Sequence, residues 1–264
     1  MDPVSRLSHD LSAGAPVVSA WCGIPDPSVG GVLASEDFDA VTFDMQHGAV
    51  DFECIVRAIP LVAAQGKPSI VRVPVGHFAT VSRLLDGGAA AVITPMVNTL
   101  EDAQNLVRFA KYPPIGQRSW GPWGAPGLTG MGDPEYFAAA NRISLAIAQI
   151  ESREGLAIVD QILATPVDGI FLGPSDLSIA LSNGARVDPT GRETTEALQH
   201  CVRLARAVGK FAGVYAPTGE RAAALLEIGF TYVALGSDEW LMRAGAKAFL
   251  TKARAGLRQV PQVA

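Results

Sequence analysis

Residues 148–153 (AQIESR) and 173–178 (GPSDLS) decide the fold. Each segment lies at the end of an apolar run typical of a buried strand, ISLAIAQI in the first case and GIFLG in the second. A helix-length segment separates the two runs, and strands joined in this way are parallel, with their ends pointing in the same direction. We therefore expect Glu151 and Asp176 to lie side by side at the carboxyl ends of neighbouring strands.

Two carboxylates held so close repel each other unless a cation lies between them. A hard divalent cation suits this place, because it takes oxygen ligands and leaves positions open for water or substrate. The sequence thus predicts a metal site at Glu151 and Asp176. The alternative is that each acid only caps the helix that follows it, since both precede helical segments.

Composition favours one soluble α/β domain that assembles with itself. The 264 residues fit a single barrel domain spanning residues 1–264, because such barrels often run to about 250 residues. Hydrophobic residues make up 48% and charged residues only 18%, which favours an oligomer interface. The net charge of −5 argues against nucleic-acid binding.

The three cysteines are widely spaced and odd in number, which predicts no disulfide framework and a reducing cytoplasmic location. The N-terminal stretch carries acidic residues and no apolar core, so we expect no signal peptide. No apolar run is long enough to span a membrane.

Short apolar runs alternate with helical segments along the whole chain. The predicted strands are residues 16–22, 40–45, 69–73, 91–95, 144–150, 168–173, 211–216 and 232–236. The predicted helices are residues 28–35, 52–65, 78–87, 99–111, 134–141, 154–163, 177–181, 194–208, 219–228 and 238–255. This alternation predicts an α/β fold of the (β/α)8 TIM-barrel type, with a doubly wound sheet as the alternative.

One long segment interrupts this alternation. Residues 113–132 are rich in glycine and proline and carry Trp120 and Trp123. A loop of this length without its own secondary structure is usually a lid, a binding loop or an interface arm.

Polar side chains gather at the predicted carboxyl ends of the strands, where barrel enzymes carry their active sites. These residues are Asp44, His47, Arg72, Gln149, Glu151, Ser175, Asp176, Ser237 and Asp238. Each also has a structural interpretation: His47 could satisfy a buried carbonyl, and Arg72 could form a salt bridge with Asp44. The convergence of four strands on one rim favours a catalytic site.

Six motifs occur in order along the chain and together resemble one family. They are residues 44–48 (DMQHG), 71–74 (VRVP), 84–89 (LLDGGA), 112–118 (YPPIGQR), 149–152 (QIES) and 171–178 (FLGPSDLS). The pattern resembles the HpcH/HpaI family of class II pyruvate-type aldolases, which includes 4-hydroxy-2-oxoheptanedioate aldolase and 2-keto-3-deoxy sugar-acid aldolases. The resemblance runs from about residue 21 to about residue 250.

The resemblance implies a barrel of the phosphoenolpyruvate/pyruvate-binding type, in a hexamer built from dimers that swap the last helix. It implies a Mg²⁺, Mn²⁺ or Co²⁺ ion held at Glu151 and Asp176. It also implies that Arg72 contacts the keto oxygen of a pyruvate-type substrate and that His47, supported by Asp44, takes part in proton transfer. The residues expected to bind substrate are Trp21, Arg72, Gln149, Ser175 and Asp176.

Two residues and one short segment depart from the family pattern. Gln46 stands where many members have glutamate, so it cannot act as an acid or base. Ser175 stands where alanine is common, which adds a hydroxyl near the substrate. Residues 119–123 (SWGPW) also differ, so the aldehyde acceptor is left open, as is pyruvate against hydroxypyruvate as donor.

The expected reaction is a reversible aldol addition of a pyruvate-type enolate to an aldehyde. No lysine falls at a predicted strand end, which argues against a Schiff-base aldolase. One alternative is an acyl-CoA lyase of the citrate-lyase type, for which Arg118 and Arg153 are the available basic residues. Another is a non-catalytic barrel that binds 2-oxo acids.

Overall fold

The computed structural model describes residues 1–257 and contains a closed barrel of eight parallel strands. Each strand pairs with the next in sequence order, and the first pairs with the last, from Val17↔Tyr232 to Ala20↔Leu235. This closure confirms the predicted (β/α)8 barrel and excludes the doubly wound sheet. The strands are β1 (Val17–Cys22), β2 (Ala40–Asp44), β3 (Ser69–Arg72), β4 (Ala91–Thr94), β5 (Leu145–Ile150), β6 (Gly169–Leu172), β7 (Phe211–Ala216) and β8 (Tyr232–Leu235).

Helices surround the barrel and connect successive strands. They are α1 (Pro3–Ser12), α2 (Pro27–Ser35), α3 (Phe52–Ala63), α4 (Phe78–Asp86), α5 (Leu100–Ala110), α6 (Ala125–Thr129), α7 (Asp133–Ile143), α8 (Arg153–Ala157), α9 (Val159–Ala164), α10 (Pro174–Leu181), α11 (Arg192–Ala207), α12 (Gly219–Ile228) and α13 (Asp238–Leu257). No helix within residues 1–257 combines the length and the apolar character that a bilayer span requires.

The N-terminal helix α1 is an element that the sequence analysis missed. Asp2 caps it by accepting a hydrogen bond from the Ser5 N–H at 2.8 Å. Its buried residues Val4, Leu7 and Leu11 share a core cluster with α6 and α7, and the helix contacts both. Their spacing of three and four residues is the signal of an amphipathic helix that could have revealed it.

The long segment 113–132 is not without secondary structure, so that prediction was wrong. It contains the short helix α6 and is anchored to α4 by a buried ion pair between Arg118 and Asp86, at 2.7 Å. The Arg118 guanidinium also lies 4.6 Å from the ring centroid of Tyr112. Buried contacts therefore fix the course of this segment over the barrel.

Two further helix predictions need correction near the site. The segment 154–163 forms two short helices, α8 and α9, because Ile158 leaves helical geometry with φ −121° and ψ 17°. The helix after β6 begins at Pro174 rather than at residue 177, since proline is well suited to a first helical position. Ser175 and Asp176 consequently lie in the first turn of α10.

Candidate active site

A cavity of about 160 Å³ opens at the carboxyl ends of the strands. Six of the residues predicted to act there line it: Trp21, His47, Arg72, Gln149, Ser175 and Asp176. Asp44 and Glu151 are buried beside these residues and bond to them. The structure thus brings all eight predicted site residues to one place.

The Arg72 guanidinium is held in a fixed position at the cavity wall. Its Nε and Nη2 atoms donate to the two carboxylate oxygens of Asp44 at 2.8 and 2.7 Å. The Trp21 indole N–H donates to the same carboxylate at 3.3 Å, and the guanidinium carbon lies 4.7 Å from the indole centroid. The salt bridge considered from the sequence therefore exists, and it leaves Arg72 facing the cavity.

Burial acts to raise the pKa of the Asp44 carboxyl, but the Arg72 guanidinium and two backbone N–H groups hold this pKa below its ordinary value. Asp44 is consequently ionised at neutral pH and balances the charge of Arg72. A paired, oriented guanidinium is a source of fixed positive charge for an oxygen that becomes anionic.

His47 is exposed at the cavity rim, in the loop that follows β2. Asp44 contacts it through the His47 backbone N–H, which donates at 3.3 Å to the carboxylate. Gln46 donates its backbone N–H to the same oxygen at 3.0 Å. Asp44 therefore supports the loop that carries His47, while its carboxylate is already shared with Arg72 and Trp21.

Glu151 is a buried carboxylate at the end of β5, only 3% exposed. It accepts hydrogen bonds from the Met96 backbone N–H at 2.9 Å and from the Gln149 side-chain amide. Burial is the main cause that raises the pKa of Glu151; these hydrogen bonds lower it in part, and the charge of Asp176 raises it further. A buried acid facing a second acid is a strong candidate for cation binding.

Met96 is a site residue that the sequence analysis missed, and Gly173, which lies in a predicted motif, has a role beside Glu151 that the sequence did not indicate. Met96 has a left-handed backbone with φ 53°, a conformation that costs a non-glycine residue about 1–3 kcal/mol. This strained conformation directs its N–H to Glu151. A side chain at Gly173 would place its Cβ 2.7 Å from a Glu151 carboxylate oxygen, so only glycine leaves the carboxylate its space.

Neither Glu151 nor Asp176 caps a helix. The N-cap of α8 is Ser152, whose hydroxyl accepts from the Gly155 N–H at 3.0 Å, and the N-cap of α10 is Gly173. The capping interpretation was therefore wrong for both acids. Asp176 is exposed in the first turn of α10, and its charge acts on Glu151.

Two aromatic side chains complete the cavity wall and were also missed. Phe171 stacks on Trp21 with centroids 5.9 Å apart, and Tyr215 meets Trp21 edge-on at 5.5 Å. Both lie on strands whose alternate residues point into the barrel, so a strict period-2 analysis of β6 and β7 could have found them.

The donor set fits a divalent cation. Among residues 1–257, no three histidine, cysteine, aspartate or glutamate side chains form a complete set of protein ligands. Glu151 and Asp176 nevertheless supply two carboxylates, and the buried Oε1 of Gln149 has no hydrogen-bond partner. Oxygen donors with room for water or substrate oxygens are what Mg²⁺ and similar ions require.

Three lysines are partly or fully buried, and all lie at the opposite end of the barrel: Lys67, Lys111 and Lys210. Lys111 pairs with Asp168 at 2.6 Å, and the Lys210 ammonium donates to the Leu163 carbonyl at 2.7 Å. Lys67 and Lys210 lie just before β3 and β7, and Lys111 is the C-cap of α5, so each stands before a strand or at a helix end, as the sequence predicted. None of the three lines the cavity, so none is placed to form a Schiff base there.

The fold and the site together define a barrel protein with an acid pair and a paired arginine at its mouth. Residues 20–244 match the HpcH/HpaI aldolase/citrate lyase family, and the chain belongs to this family. A relative named hydroxypyruvate/pyruvate aldolase, from Rhizorhabdus wittichii, is 35% identical over 96% of this chain and 100% of its own length. A relative named 5-keto-4-deoxy-D-glucarate aldolase, from Salmonella arizonae, is 35% identical over 92% of this chain and 94% of its own.

The barrel is also similar to a solved structure. A HpcH/HpaI aldolase/citrate lyase family protein from Burkholderia cenocepacia superposes with a TM-score of 0.84 at 28% identity. The match covers 95% of this chain and 99% of that protein. The likeness therefore extends over the whole barrel rather than over the site alone.

Proposed function

We propose that this protein is a divalent-metal-dependent aldolase that adds a pyruvate-type 2-oxo acid to an aldehyde and, in reverse, cleaves 4-hydroxy-2-oxo acids. The observation that carries the proposal is the buried Glu151 carboxylate beside Asp176, in a cavity that Arg72 and His47 also line. The names of the relatives, which include hydroxypyruvate/pyruvate aldolase, support this reaction class.

Glu151 and Asp176 would hold the ion, and Gln149, whose side-chain oxygen has no hydrogen-bond partner, lines the same cavity. When bound, Mg²⁺, Mn²⁺ or Co²⁺ would supply positive charge against the negative charge that develops on the 2-oxo oxygen. The raised pKa of Glu151 reflects the free-energy cost of burying its charge. A cation at this site offsets that cost, which couples metal binding to the stability of the fold.

Arg72 contributes a second positive charge at the substrate. Asp44 and Trp21 fix its guanidinium on two sides, so little reorganisation is needed when the 2-oxo oxygen becomes anionic. His47, at the rim, accepts the methyl proton of the 2-oxo acid or returns it. The aromatic wall of Trp21, Phe171 and Tyr215 excludes bulk water from the reacting carbon.

The first turn of α10 binds the carboxylate of the 2-oxo acid. Helix N-termini present N–H groups without intrahelical acceptors and carry a partial positive charge. Ser175 lines the cavity in this turn, and its hydroxyl lies near the substrate.

Cleavage of a panel of 4-hydroxy-2-oxo acids tests the proposal. Release of pyruvate or hydroxypyruvate should require a divalent ion, stop with EDTA, and recover on addition of Mg²⁺ or Mn²⁺. Full activity in EDTA, or no cleavage of any panel member by the metal-loaded protein, contradicts it.

An acyl-CoA lyase is less well supported by the structure. The two arginines that the sequence offered for a CoA groove are both engaged. The Arg118 side chain is fully buried against Asp86, and Arg153 donates to the carbonyls of Ala180 and Leu181. A non-catalytic 2-oxo-acid binder would have no use for a fixed Arg72 or a rim His47.

The proposal includes assembly into a hexamer in which dimers exchange α13. This helix exposes several large apolar side chains, which partner subunits would cover. They are Trp240, Leu241, Met242, Phe249 and Leu250. All three cysteines are free and buried, which supports the proposed cytoplasmic location.

A further inference from the structure

Asp238 is a buried carboxylate that no part of the proposed reaction uses. It is the first residue of α13 and only 4% exposed. One of its oxygens accepts the backbone N–H groups of Gly23 at 2.9 Å and Ile24 at 2.8 Å. The other oxygen accepts the N–H of Glu239 at 2.8 Å, within its own helix.

These contacts extend the link between the first and last strands of the barrel. The β1–β8 pairing ends at Ala20↔Leu235, before β1 reaches its carboxyl end. Asp238 continues the connection beyond that point by holding the two residues that follow β1. Ser237 caps α13 by accepting the Trp240 N–H at 3.3 Å, so the Asp238 carboxylate is not needed as the helix cap and is free to hold the β1–α2 loop.

Gly23 in turn supports the loop that carries His47. Its carbonyl accepts the Ala49 N–H at 2.8 Å, and its Cα lies 2.7 Å from where a Cβ on Gly48 would be. The two backbones are therefore in direct contact. The loop is held at its start by Asp44 and at its end by Gly23, with His47 between the two supports.

We propose that Asp238 is a positioning residue for His47, acting through Gly23 and the Ala49 N–H. Its carboxylate fixes the Gly23 backbone, which fixes the far end of the His47 loop. The imidazole itself is exposed at the rim, so these backbone supports set its distance to the substrate methyl. The proposed metal ligands, Glu151 after β5 and Asp176 in α10, take no part in this chain of contacts.

The test compares Asp238→Ala and Asp238→Asn with Asp26→Ala as a matched control. Asp26 caps α2 in the same β1–α2 loop, through Ser28, but does not touch Gly23. Deuterium incorporation into the pyruvate methyl in D₂O should fall about 10- to 100-fold in Asp238→Ala at saturating pyruvate, because a displacement of about 1 Å can cost this much. The Kd for Mn²⁺ and the KM for pyruvate should change by less than about threefold.

Asp238→Asn keeps one oxygen acceptor and should recover part of the rate, while Asp26→Ala should match the wild type. A second readout does not depend on activity: the Ala49 amide should exchange with solvent about tenfold faster in both Asp238 variants. If Asp238→Ala does not fold, both measurements are made on Asp238→Asn. The inference is overturned if the Asp238 variants exchange the pyruvate methyl protons at the wild-type rate. It is also overturned if they lose Mn²⁺ binding as strongly as they lose methyl-proton exchange.

The kinetic part of this inference rests on the proposed function, but the two fail differently. If the wild type itself exchanges no methyl protons with metal present, the proposed function fails. The Ala49 amide then still decides whether Asp238 holds the loop, since an unchanged amide exchange rate in Asp238→Asn overturns the positioning role.

Discussion

At the scale of single residues, the burial of the Glu151 carboxylate, which costs free energy, indicates a bound cation. The carboxylate is buried, faces a second carboxylate and, within residues 1–257, receives hydrogen bonds from Met96 and Gln149 alone. Gly173 keeps a side chain out of this space, and Met96 adopts a strained backbone to reach it. A buried carboxylate and a strained backbone both cost free energy, and they persist in a protein where they serve the binding of another group.

We expect Glu151→Gln to abolish the activity while leaving the fold intact. The change keeps the size of the side chain but removes a metal ligand. Turnover should fall by more than about 100-fold, since even outer partners of metal ligands are worth about 10- to 100-fold. The matched control is Glu154→Gln, an exposed change three residues further on. Calorimetric titration with Mn²⁺ and a cleavage assay check both variants, and strong Mn²⁺ binding by Glu151→Gln would contradict the ligand role.

The raised pKa of Glu151 also predicts a pH-dependent difference in stability. Glu151 binds its proton more tightly in the folded state than in the unfolded chain, so protonation of Glu151 stabilises the metal-free wild type at low pH. This stabilisation is lost as the pH rises above 4.5, the ordinary pKa of the carboxyl, and through the pKa of the folded state. Glu151→Gln does not titrate, so without metal it should be more stable than the wild type at neutral pH, by about 0.5–2 kcal/mol.

The difference should shrink as pH falls towards 4.5. Urea unfolding in EDTA at several pH values measures it. The prediction fails if the wild type is more stable than Glu151→Gln at neutral pH in EDTA. It also fails if the difference in unfolding free energy between the two proteins does not depend on pH.

Most of the site could be predicted from the residues, and the rest depended on contacts across the fold. Strand ends in parallel order are enough to bring Glu151, Asp176 and Arg72 together. Met96 and Gly173 carry no functional group that singles them out. Their roles come from a backbone N–H and a missing Cβ, which appear only when β4, β5 and β6 lie side by side.

At the scale of elements, close backbone contacts fix the loops at the mouth of the barrel. A Cβ at Gly48 would lie 2.7 Å from the Gly23 Cα and would also meet the Asp44 carbonyl. We expect Gly48→Ala to lower the free energy of unfolding by about 1–3 kcal/mol, as overpacking does. Gly219→Ala, with no atom within 4 Å of the new Cβ, should stay within about 0.5 kcal/mol. Urea unfolding compares the two, and equal effects would show that this contact is not tight.

The buried ion pair of Arg118 and Asp86 fixes the long 113–132 segment. Asp86→Ala would leave the fully buried guanidinium without its partner, so we expect a loss of about 3–5 kcal/mol in unfolding free energy. The exposed pair of Arg243 and Glu239 is a suitable comparison, and Glu239→Ala should cost less than about 1 kcal/mol. Thermal and urea unfolding measure both. A small effect of Asp86→Ala would mean that water reaches Arg118.

The sequence predicted the strands better than the short helices. Each strand is an apolar run with clear limits, whereas α6, α8 and α9 are five or six residues long, too short for a periodic pattern to show. The N-terminal helix α1 does carry such a pattern, with buried apolar residues at positions 4, 7 and 11.

For the whole molecule, the large exposed apolar side chains of α13 predict self-association. Trp240, Met242 and Phe249 are 62%, 62% and 79% exposed, which is unusual for side chains of this size. Light scattering should give a mass several times 27.6 kDa, and six times that value for the proposed hexamer. The double change Trp240→Glu with Phe249→Glu should reduce the mass, while Lys247→Glu on the same helix should not. A wild-type monomer would contradict the proposed assembly.

The central claim is that the Glu151 and Asp176 pair holds a divalent ion that allows a 2-oxo acid to lose a methyl proton. Deuterium incorporation into pyruvate in D₂O, followed by NMR on chelator-treated protein before and after Mn²⁺ is added, tests it most directly. The account predicts no exchange above background in chelator, exchange restored by Mn²⁺ in the wild type, and no restoration in Glu151→Gln or Asp176→Asn. Exchange that continues unchanged in chelator, or that Mn²⁺ restores equally in the two variants, would contradict it.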